Sequence, residues 1–336
     1  MVTIISGIAL LLITLAAFSL FSLKMPKGQA AMSGMANAAV ATFLVEAIMS
    51  YIAGDLFGIS FFKDVGSIAG GMGGVAAAAL VPMGMGASPV LSMCAGVAVG
   101  GYGILPGFIA GYVVGLIGPA IEKKLPEGLD VIVGALVVAS VARAIAAFVN
   151  PGVTMVLSII GKTITEATLT SPIIMGFLLG GIIKMICTSP LSSMALTAML
   201  GLTGLPMGIA AVACFGGSFT NGTIFKRLHF GNNGNVIAVM LEPLTQADIV
   251  TTHPIPIYGS NFFGGGSAGV GAAMLGIVNN APGTASPIPG MLAPFAFNAP
   301  GKVVMALAIA AVGGGIAGFI GSIVFKKFDE GVEAVD

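Results

Sequence analysis

The sequence predicts an all-α polytopic membrane protein of about ten transmembrane helices, divided into a scaffold half and a transport half. The composition carries this prediction: of 336 residues, 57% are hydrophobic and only 8% are charged, and the mean hydropathy is +1.06. Average proteins contain about 25% charged residues, so these proportions exclude a water-soluble surface. Glycine accounts for 51 residues, and glycine within apolar runs is typical of membrane helices that pack closely.

The charges and cysteines narrow the functional classes. Thirteen Lys and Arg balance thirteen Asp and Glu, which excludes an electrostatic nucleic-acid binder. The cysteines number three, which argues against a full disulfide framework and favours buried free thiols. The apolar N-terminus lacks the basic start and the cleavage site of a signal peptide, so we interpret it as a first span. We expect no cofactor, no metal site and no catalytic nucleophile.

Clusters of Pro, Gly and charged residues mark the ends of successive apolar segments. Before Pro151 these segments are mostly long, at 3–22, 31–54, 66–87, 88–118 (one long or two short elements) and 130–149. After it they are shorter and interrupted, at 153–162, 172–187, 194–218, 235–250 and 262–280, until a clean last span at 303–325. Interrupted segments are typical of the binding region of a transporter. We therefore expect a scaffold half (1–150), a transport half (151–325) and a cytoplasmic tail (326–336).

Basic residues predict which loops face the cytoplasm. Lys226-Arg227 and Lys326-Lys327 are expected on that side. Lys24 and Lys27 place the first loop there as well, which conflicts with a cytoplasmic N-terminus in an even-numbered count. The orientation of the N-terminus therefore stays open.

Ionisable residues within apolar sequence are the candidates for function. A charge at the bilayer centre costs about 2.5–3.5 kcal/mol, so it usually faces a partner or a cavity. These residues are Glu46, Arg143, Lys162, Glu166, Lys184, Glu242, Asp248 and His253. For Glu46 we favour a structural pair with Arg143. Lys162 and Glu166 are four residues apart, which suits an intrahelical pair as well as a functional role.

The densest polar cluster lies at 241–254, between apolar runs. It holds two carboxylates, an amide, three hydroxyls and an imidazole within fourteen residues, with a proline near each end. Carboxylate and amide groups bond to sugar hydroxyls in fixed geometry, and a few such groups in an apolar pocket give specificity. We therefore expect a substrate site here, and a solvated loop is the alternative.

A second polar break repeats itself on both sides of a short apolar run. Thr170-Ser171-Pro172 and Thr188-Ser189-Pro190 bracket residues 173–187, which are too few to span comfortably. A re-entrant hairpin is consistent with this pattern, because Ser and Thr can satisfy backbone groups that proline leaves free. Two kinked ordinary helices are the alternative.

Several segments resemble one known family. They are 107–114 (GFIAGYVV), 123–126 (KKLP), 241–249 (LEPLTQADI) and 266–272 (GSAGVGA). Together they are similar to the membrane component (EIIC) of the bacterial phosphoenolpyruvate-dependent sugar phosphotransferase system. The resemblance is to its fructose-type branch and to a divergent EIIC-like branch, some members of which are labelled perfringolysin O regulator.

The resemblance implies a fold, a site and partners. Relatives are homodimers in the bacterial cell membrane, with a dimer-forming scaffold half and a mobile half that carries two re-entrant hairpins in an elevator-type movement. Separate cytoplasmic IIB and IIA proteins phosphorylate the sugar. The family's glutamate corresponds to Glu242, and by location Thr245, Gln246, Asp248 and His253 line the same pocket. The matching segment of the other hairpin contains Ser189, Ser192 and Ser193.

One departure from the family leaves the substrate and the function open. Fructose-type members usually carry Asp-Met-Gly-Gly-Pro where this chain has Ile186-Cys187-Thr188-Ser189-Pro190, so the acidic residue is missing. The sequence therefore predicts a sugar or polyol transporter that is at most the permease part of a phosphotransferase complex. The alternative is an EIIC-like membrane sensor or regulator without coupled transport.

Overall fold

The structure, a computed structural model, describes residues 2–124, 126, 128–189 and 192–329. It is 84% helical, and the residues it describes contain no β-strand. Six of the described helical segments are long and apolar enough to cross a membrane. A seventh span exists if Ser60–Gly71 and Gly73–Gly84, which meet at a bend of 55°, are taken together.

The prediction of an all-α polytopic membrane protein is therefore confirmed, whereas the expected number of about ten spans is not. The six segments are Ile5–Lys24, Gly28–Asp55, Ile104–Lys124, Ala135–Thr170, Gly204–Arg227 and Pro300–Val324. The difference arises because several apolar runs of the sequence fold as helices too short to cross a bilayer. A span requires about 20 residues.

The helices divide between two compact units. The N-terminal unit comprises residues 11–161 and 194–201, and the C-terminal unit comprises the described parts of 1–10, 162–193 and 202–336. The scaffold and transport roles expected for the two halves of the sequence stay predictions.

The first seven helices supply most of the N-terminal unit. Helices α1 (Val2–Lys24) and α7 (Leu129–Thr170) each contribute to both units. Between them the chain forms α2 (Gly28–Ala39), the π-helical turns Val40–Leu44 and Ala47–Leu56, α3 (Ser60–Gly71), α4 (Gly73–Gly84), α5 (Pro89–Ala98) and α6 (Ile104–Lys124).

Helix α7 corrects the predicted break at Pro151. The segments 130–149 and 153–162 are expected as separate elements, but one helix of 42 residues runs through the proline. Proline lacks the N–H that would bond to the carbonyl four residues earlier, here that of Ala147, and membrane helices tolerate such a proline. Just after it the Thr154 hydroxyl donates to a different carbonyl, that of Asn150, at 2.8 Å.

The expected pair between Glu46 and Arg143 is also wrong. The Arg143 guanidinium lies 4.5 Å from the centre of the Tyr102 ring and donates to the Gly100 carbonyl at 2.8 Å. Glu46 instead forms a side-chain hydrogen bond with Tyr51. The Glu46 carboxylate and the Arg143 guanidinium thus each contact a tyrosine instead of each other, which the sequence spacing does not reveal.

The remaining helices belong almost entirely to the C-terminal unit. They are α8 (Pro172–Thr188), α9 (Ser193–Met199, of which 194–199 belong to the N-terminal unit), α10 (Gly204–Arg227), α11 (Asn233–Leu241), α12 (Ala247–Thr252), α13 (Pro254–Met274), α14 (Pro287–Leu292) and α15 (Pro300–Val324). Short 3₁₀ turns cover Pro243–Gln246, Ala293–Ala296 and Lys326–Phe328.

Glycine contacts hold α8, α10, α13 and α15 together. The Gly176 carbonyl meets Gly269 and the Gly180 carbonyl meets Gly265, so α8 and α13 are antiparallel. The Gly216 carbonyl meets Gly314, and α10 and α15 are parallel. A Cβ at any of these glycines would collide with the opposite helix or press tightly against it. Small residues at such places let helix backbones approach closely inside a membrane.

Helix α15 shows the exposure pattern expected in lipid. Its inward face is made of small or slender residues, among them Ala306, Ala310 and Gly314. Its outward face carries large apolar side chains that are about half exposed or more: Val304, Val312, Ile316, Ile320 and Ile323. An exposed apolar surface of this extent is typical of a protein in contact with a membrane.

Candidate functional site

The two ends of α10 define two ends of the C-terminal unit. At one end, which we call the basic end, Arg227 Nε donates to Ser322 Oγ at 2.7 Å, and His229 Nδ1 lies 2.7 Å from Asp329 Oδ1. This end contains Lys226, Arg227, Lys326 and Lys327. At the opposite end, the Gly204 carbonyl accepts from the backbone N–H of Asn279 at 2.9 Å.

A helical hairpin, residues 231–253, starts from the basic end. Asn232 caps α11, because its side chain accepts bonds from the backbone N–H groups of Gly234 and Asn235. Helix α11 then runs back along α10, where Met240 packs on Gly222. The chain turns after Glu242 and returns through α12 to His253. We call this segment the basic-end hairpin.

Polar and aromatic contacts close the basic-end hairpin. Asn235 Nδ2 donates to Gln246 Oε1 at 2.6 Å and so connects its two arms. The His253 ring stacks on Phe230, with 4.1 Å between the ring centres. Val239 and Val250, one from each arm, belong to a single buried apolar cluster. These contacts therefore stabilise the position of Glu242 at the tip of the hairpin.

A second hairpin, residues 277–298, starts from the opposite end. Asn298 closes its neck: Oδ1 accepts from the Val278 N–H at 3.0 Å, and Nδ2 donates to the Val278 carbonyl at 2.7 Å. Inside it, Asn279 Nδ2 donates to Thr284 Oγ1 at 2.8 Å. Gly290 of α14 lies directly on Ala211 of α10. We call this segment the opposite-end hairpin.

The two hairpins meet at a carboxylate. Ser286 Oγ, in the opposite-end hairpin, donates to Glu242 Oε2 at 3.1 Å. The Leu244 N–H donates to Glu242 Oε1 at 3.4 Å. The hydroxyl of Ser193 donates to the Ala285 carbonyl next to this contact. Glu242 is thus held by donors from both hairpins, with its carboxylate facing the helix core.

Lys184 lies in the same core, halfway along α10. Its side chain is 0% exposed and crosses Gly217 and Gly265, where any Cβ would collide with it. Gly217 lies 13 residues after the start of α10 and 10 before its end, which is about 20 Å and 15 Å along the axis. Lys184 is near enough to Glu242, Cys187 and Cys214 for Coulombic interaction.

Buried amides connect Lys184 with the basic end. Asn261 Nδ2 donates to Asn221 Oδ1 at 2.6 Å, and Asn221 Nδ2 donates to Thr188 Oγ1 at 3.4 Å. Thr188 Oγ1 in turn donates to the Lys184 carbonyl at 3.1 Å. Asn261 Oδ1 and Ser260 Oγ have no hydrogen-bond partner among the described residues. These polar groups form a continuous row between three helices.

The residues predicted from the 241–254 cluster fall in different surroundings. Glu242 and Gln246 are largely buried, at the tip and between the arms of the basic-end hairpin. Thr245 and Asp248 are exposed. His253 lies on Phe230 at the base of the hairpin. The tip therefore joins the helix core, whereas the rest of the cluster flanks it.

The second predicted segment folds differently from expectation. Residues 172–188 form the single helix α8, so the hairpin considered for 173–187 is not present there. Ser189 caps the end of this helix, and Ser192 and Ser193 are buried. Cys187 forms side-chain hydrogen bonds with Ser193 and Cys214. Pro190 and Leu191 lie outside the described residues.

Sequence reasoning did not place Lys184, Asn221, Asn261 or Ser286 in the site. The sequence shows that Lys184 is an ionisable residue within an apolar run, but nothing in its own segment indicates its partners. The opposite-end hairpin had a signal, a series of prolines between two apolar runs: Pro282, Pro287, Pro289 and Pro294. Within the described part of the chain, no group of three or more His, Cys, Asp or Glu residues is placed to hold a metal ion.

Six apolar helices long enough to span a membrane, together with a buried row of polar side chains between α8, α10 and α13, define a multi-pass membrane protein with an internal polar site. The sequence profile described as "Phosphotransferase system, EIIC" matches residues 29–333. The chain belongs to this family and is a membrane sugar-transport component. Membership implies a sugar substrate and cooperation with IIB and IIA components. No curated protein and no solved structure gave a significant match.

Proposed function

We propose that this protein is the EIIC permease for a sugar or polyol in the bacterial cytoplasmic membrane, with Glu242 as the main contact to the substrate. The observation that carries the proposal is the place of Glu242. Two hairpins from opposite ends of the C-terminal unit meet at its carboxylate, which Ser286 and the Leu244 N–H hold in position.

The chemistry of this place suits a carbohydrate. An ionised carboxylate has about four lone-pair sites, and the two protein donors leave sites for substrate hydroxyls. Sites for small ligands combine apolar walls with a few fixed polar groups. The residues that we propose around the substrate are Glu242, Thr245, Gln246, Asp248, His253, Ser189, Ser192 and Ser193.

We further propose an elevator-type movement, with residues 1–150 as the scaffold and dimerisation half and 151–325 as the transport half. Glycine contacts join α8 to α13 and α10 to α15 backbone to backbone, and Gly216 of α10 also packs on Ala268 of α13, so the four helices are suited to move as one body. Each hairpin can close the site from its own end, and re-entry of both into the bilayer belongs to this proposal. Residues 326–336 are the proposed cytoplasmic tail.

The active form that we propose is a homodimer in the lipid bilayer, served by IIB and IIA phosphocarrier proteins on separate chains. Phosphate transfer would take place on these partners, and this chain would contribute the path and the binding site. The described residues hold no feature that favours the alternative, a sensor without coupled transport.

Glu242→Gln tests the proposed site. The variant is expected to lose binding of the sugar that stabilises the wild-type protein, because an amide cannot accept as many hydroxyl donors as a carboxylate. The measurement is thermal unfolding in detergent with a panel of sugars and polyols. A bound ligand at about a hundredfold excess over its dissociation constant adds about 2.7 kcal/mol to the stability.

Glu166→Gln is the matched control, because Glu166 is exposed on α7. This variant should keep the wild-type response to the sugar. If Glu242→Gln unfolds normally without ligand and binds the sugar as tightly as the wild type, then Glu242 is a structural residue and the proposed site is wrong.

A further inference from the structure

The ammonium group of Lys184 is buried and, within the part of the chain that the structure describes, has no hydrogen-bond partner. Its side chain is 0% exposed. Glu242 is near enough for Coulombic interaction, but both of its oxygens already accept bonds from other donors. A buried charge that lacks hydrogen bonds lowers stability, so such a group usually has a function in the membrane.

The surrounding helices make room for this lysine. A side chain at Gly217 of α10 or at Gly265 of α13 would collide with the Lys184 stem. The stem is therefore confined between two helices, and the ammonium lies within Coulombic range of Cys187, Cys214 and Glu242. This confinement limits the positions that the Lys184 ammonium can take relative to the Glu242 carboxylate.

We propose that Lys184 binds the substrate together with Glu242, and that the pair selects neutral sugars or polyols against sugar acids and amino sugars. The inference rests on the proposed function. Lys184 has three donors and no acceptor, whereas ionised Glu242 is an acceptor only. A hydroxyl group serves both. For a substrate carboxylate, repulsion by Glu242 offsets attraction by Lys184, and for a substrate ammonium, repulsion by Lys184 offsets attraction by Glu242. Neither charged group therefore recovers the cost of its own desolvation.

The test compares binding of matched ligands to the wild type, Lys184→Met, Glu242→Gln and the control Lys162→Met. Lys162 is exposed on α7. The neutral probes are glucose, mannose, galactose, fructose, glucitol and mannitol. The charged probes are glucuronate, galacturonate, gluconate, glucosamine and galactosamine. Dissociation constants are measured on purified protein in detergent.

The wild type is expected to bind a neutral probe at least about tenfold more tightly than its charged counterparts. Lys184→Met should weaken the neutral probe about tenfold or more, which is the effect of losing one hydrogen bond to a charged group. The same variant should narrow the difference between amino sugar and neutral sugar, because the repelling cation is gone. Lys162→Met should bind like the wild type.

A measurement without ligand separates a binding role from a structural one. Methionine keeps the packing between Gly217 and Gly265 and removes the charge, so ligand-free Lys184→Met should unfold at the wild-type temperature or above it. A clearly lower temperature means that Lys184 is a structural partner of Glu242, and the inference is wrong.

The binding results distinguish the two proposals. If a neutral sugar binds, Glu242→Gln loses it and Lys184→Met does not, the proposed function stands and the role of Lys184 is overturned. Preference of the wild type for a charged probe overturns the substrate class. If the wild type binds none of the probes, the carbohydrate site itself is overturned, and this inference with it.

Discussion

At the scale of single residues, the site depends on glycines, which have no side chain, as much as on its polar residues. Lys184 occupies space that two glycines leave free, and the carboxylate of Glu242 is near it. Gly217 is the more informative of these glycines, because the three atoms nearest to a Cβ there all belong to Lys184, whereas a Cβ at Gly265 would also meet the Gly180 carbonyl.

Gly217→Ala is expected to lower the stability by about 1–3 kcal/mol, the usual cost of overpacking a core. It should also weaken sugar binding, because the displaced Lys184 stem moves the ammonium. The control is Gly315→Ala in α15, where a Cβ meets nothing within 4 Å. That change should be neutral or stabilising by up to about 1 kcal/mol. Thermal unfolding and sugar titration of both variants check the prediction, and equal stabilities would contradict it.

The sequence is informative about Glu242 and much less so about Lys184. Glu242 stands out because its own segment concentrates polar groups between apolar runs, and the structure indeed places it in the core. The surroundings of Lys184 come from α10 and α13, which are distant in the chain. Charges pair according to tertiary neighbours, and for the same reason the expected contact between Glu46 and Arg143 is replaced by Tyr51 and Tyr102.

At the scale of elements, the two hairpins differ in how far the sequence predicts them. The tip and the second arm of the basic-end hairpin coincide with the polar cluster at 241–254, whose prolines interrupt the helix. The opposite-end hairpin reads in sequence as the end of one span, a proline-rich link and the next span. Its compact form depends on the bonds between Asn298 and Val278, and such a closure across the neck has no local signal.

Asn298→Ala should open the neck of the opposite-end hairpin. We expect a loss of about 1–3 kcal/mol in stability, because the partly buried backbone groups of Val278 lose their partners. Sugar binding should weaken too, since Ser286 is no longer held against Glu242. Thermal unfolding with and without the sugar measures both effects. Asn37→Ala, at an exposed position of α2, is the control. Unchanged sugar affinity in Asn298→Ala would separate the hairpin from the site.

At the scale of the whole molecule, composition alone predicts an all-helical membrane protein, and the structure confirms it. The number of spans is less predictable, because apolar runs of similar hydropathy fold as full spans, as half-length helices or as a bent pair. Helix α7, which continues through Pro151, shows that even a proline does not decide the boundary. Which of these forms an apolar run adopts depends on the helices that pack against it, and a single sequence does not show those contacts.

The two ends of α10 give a prediction of orientation. The basic end should face the cytoplasm by the positive-inside rule. In a Cys94→Ser background, Thr203→Cys at the opposite end should react with a membrane-impermeant maleimide on intact cells. Asn233→Cys at the basic end should react only after permeabilisation. Both positions are exposed, and Cys187 and Cys214 are buried. The reverse labelling pattern would show that the basic end faces the outside of the cell and would contradict the prediction.

The glycine contacts between α8 and α13 and between α10 and α15 also limit how this protein can evolve. Each contact excludes even one added methyl group, so the paired positions tolerate little substitution. Ser286, Thr245 and Ser189 lie in turns or at helix ends, outside these contacts. A change of substrate can therefore arise by drift at the hairpin tips, while the packed helices between them keep the same residues.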